Sequence, residues 1–156
     1  MSVTISGDGT ITGVLVDKRI EAFTSSGTWT VPAGVTYAIA HMMGGGGGLG
    51  TLASGGNGGN SSVAFASGTV TGTGLTKVQM DNTVTEAVAG AANTGQSASG
   101  MRASLYANAG PTNNFVVAGA AVTPAESITV TVGAGGTAGT SGAAGGSGYV
   151  FIEYYV

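Results

Sequence analysis

The sequence predicts an all-β fold: β-sandwich-like strands joined to packed layers of extended glycine rods, with little or no helix. Three observations predict it. Short runs rich in Val, Ile, Thr and Tyr alternate apolar and polar positions, as half-buried strands do. Glycine, 31 of 156 residues, recurs at every third position in two tracts. No window carries an i, i+3, i+4 apolar stripe of useful length, so amphipathic helices have no material to form from.

In VTYAIAHMM (35–43), Val35, Tyr37, Ile39, His41 and Met43 share one face and Thr36, Ala38, Ala40 and Met42 the other. This strand runs into Gly44 without a turn signal. SITVTVG (127–133) sets Ile128, Val130 and Val132 against Thr129 and Thr131 and runs into Gly133 in the same way, and YVFIEYYV leaves the second tract after Gly148. Shorter strands are predicted at 3–5, 10–16, 27–31, 62–66, 75–80, 83–88 and 114–118. Pro32-Ala33-Gly34 and Pro124-Ala125-Glu126 each precede a strand that feeds a glycine tract. The chain therefore reads as two similar units of proline turn, strand and glycine excursion. Residues 1–22 are expected to form a β segment serving as an attachment or oligomerisation arm, and 23–156 the glycine-rich β domain.

The tracts keep a strict phase. The second places Gly at 133, 136, 139, 142, 145 and 148; the first places it at 44, 47, 50, 56 and 59, with Ala53 the one substitution. A three-residue period suits a left-handed extended helix with about 3.1 Å rise per residue, one edge of which then carries no side chain. Such a rod makes no internal hydrogen bonds, so buried rods must bond to one another. All three prolines lie outside both tracts, which disfavours a collagen-like solution. Because ordering glycine costs more backbone entropy than ordering any other residue, dense lateral bonding and subunit contacts are expected.

Composition narrows the function. Charged residues are 7% of the chain and the net charge is −3, leaving no basic footprint for nucleic acid or an anionic membrane. Cysteine is absent, so disulfides and thiolate chemistry are excluded. The first residues lack the basic and apolar regions of a secretory leader, and no apolar run reaches the ~18 residues of a membrane helix. No catalytic site, cofactor or metal is expected. Gly133-Ala134-Gly135-Gly136-Thr137-Ala138 fits a dinucleotide fingerprint by spacing, but residues 139–148 cannot open the required helix. The carboxylates Asp8, Asp17, Glu21, Asp81, Glu86, Glu126 and Glu153 are scattered without a close pair. His41, the single histidine, reads as a core or interface residue; three copies meeting at an axis could instead cluster it around a metal. Tyr106, Asn108, Asn113, Asn114 and Phe115 combine aromatic and amide groups around a Gly/Pro loop, which suits contact with a glycan or surface protein; the plainer reading is an ordinary loop with Phe115 turned inward.

FTSSGTWTVPAGVT (23–36), the strand into GGGGGLG, GGNGGNSS (55–62), SITVTVGAGGTAG (127–139) and GGSGYVFIEY (145–154) together resemble the glycine-rich domain of bacteriophage tail-fibre and minor tail proteins. They are more loosely similar to fibre-tip adhesins of T-even-like phages with polyglycine-II packing. The resemblance covers about half the chain. It implies a non-enzymatic virion component, assembled in the host cytoplasm and exposed on the particle, that contributes to host attachment. The implied partners are further copies of the chain, as a homotrimer, other virion proteins of tail, baseplate or capsid, and a host surface glycan or protein. A head fibre, decoration or cementing protein without receptor binding is the alternative. One departure stands out: the family's Pro-Gly-Glu is Pro124-Ala125-Glu126 here.

Overall fold

The computed structural model describes residues 4–5, 11–12, 16–51, 55–80, 84–90, 92–95, 97, 99–102, 107–108 and 115–156. Among them there is no helix; the strands are β1 (Thr4–Ile5), β2 (Ile11–Thr12), β3 (Lys18–Phe23), β4 (Gly27–Thr30), β5 (Tyr37–Met43), β6 (Leu49–Thr51), β7 (Ser61–Phe65), β8 (Gly68–Gly72), β9 (Val78–Met80), β10 (Val84–Val88), β11 (Ser99–Arg102), β12 (Ala107–Asn108), β13 (Phe115–Ala121), β14 (Ser127–Thr131) and β15 (Tyr149–Tyr155). Two antiparallel four-stranded sheets, ordered β13-β5-β15-β3 and β4-β14-β7-β8, form the sandwich. Its core joins Ala38, Ala40 and Met42 of β5, Val150 and Ile152 of β15 and Ala120 of β13 to Trp29, Val63, Phe65, Ile128 and Val130 of the other sheet. Alanines on one side leave room for the indole of Trp29 on the other, which is how a chain with few large apolar residues still fills an interior.

Packing ranks the two faces of the strand at 35–43. Val35 is buried, but Tyr37, Ile39, His41 and Met43 lie on the outside of the sheet and the smaller Ala38, Ala40 and Met42 point in. β3 runs across residue 22, where the N-terminal segment was expected to give way to the glycine-rich domain. Lys18 to Phe23 pair residue by residue with Tyr155 to Val150 of β15, and Asp17 and Val156 exchange backbone hydrogen bonds of 2.9 and 3.0 Å. KRIEAF escaped sequence detection because its charges break the apolar alternation; they suit a strand whose free edge must not recruit another chain.

Three excursions, not two, leave the sandwich. Residues 44–60 run out from β5 in one sheet and return into β7 in the other. Residues 133–148 do the reverse, from β14 to β15. Between them the hairpin β7-β8 feeds residues 73–77, which lead into β9; this third excursion lacks the proline turn that marked the other two. In those turns Gly34 (φ 82°) and Ala125 (φ 66°) occupy the left-handed position after Pro32-Ala33 and Pro124 respectively, each turn closed by a backbone bond, Val35 N to Pro32 O and Glu126 N to Thr123 O.

Candidate functional site

Five extended segments, 44–50, 55–60, 73–77, 133–139 and 142–148, pack as a bundle on one end of the sandwich. Segment 44–50 is its axis and is buried throughout. It bonds to every neighbour: Gly45 N to Gly59 O and Gly48 N to Gly56 O; Leu75 N to Gly45 O; Gly136 N to Gly46 O and Gly139 N to Leu49 O; Gly46 N to Gly146 O and Leu49 N to Ala143 O, all at 2.8–2.9 Å. Ser97 Oγ takes up the Gly47 N–H at 3.1 Å from a fifth side. The outer segments also bond to one another, through Gly56 N to Thr137 O, Gly59 N to Ala134 O, Gly58 N to Leu75 O, Gly145 N to Gly136 O and Gly148 N to Gly133 O. These are the lateral bonds that a helix without internal hydrogen bonds requires.

The contacts repeat every third residue on both partners. A Cβ at Gly44 or Gly47 would strike the carbonyl of Thr73 or Thr76; at Gly45 or Gly48, that of Ala134 or Thr137; at Gly55 or Gly58, that of Gly48 or Gly45; at Gly133 or Gly136, that of Gly59 or Gly56; at Gly142 or Gly145, that of Leu49 or Gly46. The sequence frame of Gly44 and Gly47 and of Gly133 through Gly148 therefore marks real contact edges. It was incomplete, because an axial rod needs a bare edge toward each neighbour. That is why the axis is the uninterrupted run of Gly44 to Gly48, and why Gly55 and Gly58, one residue out of frame with Gly56 and Gly59, make the close approach to the axis.

Side chains add further bonds between the segments. Asn57 Oδ1 accepts from Lys77 N and Asn60 Oδ1 from Gly74 N, both at 2.9 Å; the Gly-Gly-Asn triplet is thus two bare edges and one amide acceptor. At the base, buried Ser61 Oγ accepts from Gly133 N at 3.0 Å and donates to Met43 O at 2.7 Å, tying the two tracts to the sandwich. The far end carries β6, β9 and β12, with β9 paired to both. From Met43 to Gly50 the axis spans roughly 20 Å at about 3.1 Å per residue.

A second surface is the outer face of the β13-β5-β15-β3 sheet. Register places Phe115, Met43 and Tyr149 in one row, Val117, His41, Phe151 and Ala22 in the next, then Gly119, Ile39, Glu153 and Ile20. A hollow of about 460 Å³ opens among Ile20, His41, Phe115, Tyr149, Phe151 and Glu153. Within it Glu153 is held by Lys18 Nζ at 2.9 Å and by the Tyr155 hydroxyl at 3.3 Å, with His41 Nε2 3.5 Å away. The Lys18 hydrogen bond, reinforced by its charge, pulls the Glu153 carboxyl below its ordinary value against the opposing effect of desolvation, and the same bond raises Lys18. His41 Nε2 is buried and makes no hydrogen bond among the described residues. No group of three metal-ligating side chains occurs among the described residues.

Two of the five predicted contact residues, Asn108 and Phe115, lie among the described residues. Phe115 opens β13 opposite Met43, at the base of the bundle; it points outward, 49% exposed, with its ring 6.3 Å from that of His41. Asn108 lies in β12 opposite Gln79, beyond the far end of segment 73–77. Tyr106, Asn113 and Asn114 lie outside the described residues. Comparison of the chain with protein-family models, with curated proteins and with solved structures gives no match.

Proposed function

We propose that the protein is a bacteriophage virion component, a tail-fibre or tail-tip part that contributes to attachment to the host cell. The observation that supports this reading best is the axial rod, buried along its length and bonded to every segment around it. Ordering that much glycine is entropically expensive. What the arrangement yields is a stiff spacer of roughly 20 Å between the sandwich and the end that carries β6, β9 and β12, the property an attachment organelle needs. The sequence resemblance to phage glycine-rich domains supplies the particle context, and with it further virion proteins and a host glycan or protein as partners.

The test has two arms. Antibody-gold labelling of phage particles locates the protein, and purified protein is measured for binding to susceptible cells and for competition with infection. Label at the tail with saturable binding is the expected result. Label on the head without cell binding would replace this reading with a capsid fibre or cement.

A further inference from the structure

We infer that copies of this chain associate through the outer face of the β13-β5-β15-β3 sheet. The two outward faces of the sandwich differ sharply. On β4-β14-β7-β8 the exposed side chains are Thr28, Thr30, Ala64, Thr69, Thr71, Ser127, Thr129 and Thr131, a surface hydroxylated but for one alanine and suited to water. On β13-β5-β15-β3 they are Ile20, Tyr37, Phe115, Val117, Phe151 and Tyr155, between 38 and 62% exposed. Both sheets are amphipathic by the same rule, yet only the second turns large apolar groups outward, and it does so in adjoining rows.

The magnitude fits a subunit contact. At about 200 Å² per side chain when covered, the exposed parts of these six residues amount to on the order of 600 Å². That stands at the top of the roughly 300–600 Å² of the largest patch on a typical monomer and is about three quarters of the ~800 Å² each partner gives to a stable interface.

The occupant is a further copy because the face complements itself. It carries a hollow among its aromatic rings and protruding apolar side chains beside it. Its charges are matched internally, Lys18 to Glu153 at 2.9 Å, so two copies meet without like-charge repulsion; a strongly charged partner would find nothing to pair with. The bundle is a poorer candidate than sequence reasoning suggested, since its lateral bonds are satisfied within one chain. This inference deepens the homo-oligomer part of the reading above and stands without the virion part, because oligomeric mass is measured independently of cell binding.

Sedimentation of the full chain tests it. The wild type is expected to sediment as a dimer or larger at roughly 10–100 µM, while Val117→Glu and Ile20→Glu weaken association about a hundredfold or more. Thr129→Glu, on the hydroxylated face, leaves the mass unchanged. Should a glutamate variant fail to fold, the absence of native cysteine allows a second reading. Val117→Cys is expected to form interchain disulfides on oxidation, and Thr129→Cys is not. A wild-type monomer, unchanged mass in Val117→Glu and Ile20→Glu, or equal cross-linking from both cysteine positions would each overturn it.

Discussion

Gly48→Ala puts the bundle geometry under direct test. The backbone at Gly48 is not left-handed, so alanine fits its dihedrals. On that ground alone the substitution should stabilise by about 0.4–1 kcal/mol, through the lower entropy of the unfolded chain. Space decides otherwise. A Cβ there would collide with the carbonyl oxygen of Thr137 and press on that of Gly136, so the axial rod and segment 133–139 must separate. The bonds Gly136 N to Gly46 O (2.8 Å) and Gly139 N to Leu49 O (2.9 Å) then lengthen together. Each is worth about 1 kcal/mol net, and each buried group left unpaired costs about 1–3 kcal/mol. The expected loss is about 3–6 kcal/mol, a large share of a typical total of 5–15 kcal/mol. Urea unfolding followed by fluorescence of Trp29, the single and fully buried tryptophan, reads it directly. Gly27→Ala, where a Cβ would meet only the Phe23 ring at 3.8 Å, is the control and should be near neutral. A Gly48→Ala midpoint equal to or above wild type would refute the packing argument.

Other perturbations separate its parts. Ala125→Gly should stabilise by about 0.5–1 kcal/mol in the same assay, because a left-handed alanine costs about 1–2 kcal/mol and glycine returns part of that as unfolded-state entropy. Asn60→Ala should cost about 1 kcal/mol by removing the acceptor for Gly74 N, with Asn60→Asp retaining most of it. Ser61→Ala strands the Gly133 N–H and Met43 carbonyl at a buried site and should cost about 2–3 kcal/mol. The Lys18 to Glu153 pair makes stability fall at both ends of the pH scale. Glu153, depressed below 4.5, loses its contribution as pH falls through its folded-state pKa; Lys18, raised above 10.5, loses its contribution as pH rises through its own. Glu153→Gln should flatten both limbs in a pH series of unfolding midpoints.

Much of this architecture was legible because period is a local property. Alternation over 127–131 and 149–155 fixed strands, and the glycine phase from 133 to 148 fixed a contact edge, since a three-residue turn repeats its bare side without reference to anything distant. Residues of the hollow were named only singly. His41 and Phe115 stood out as unusual, while Ile20 was hidden in a charged strand and Glu153 among scattered carboxylates. Nothing local says that residues 18 and 153 will be cross-strand neighbours, or that Asn57 will reach Lys77.

The sequence by itself determined that this chain is all β, that its glycines form rods, and that those rods must bond sideways. Tertiary structure alone decided which rod sits at the centre and which side of β5 faces out. A rod's own residues set only how closely it can be approached, and a strand's alternation defines two faces without ranking them. The choice belongs to the partner: Trp29 and its neighbours need the alanine side of β5, and that leaves Tyr37, Ile39 and His41 for the outside.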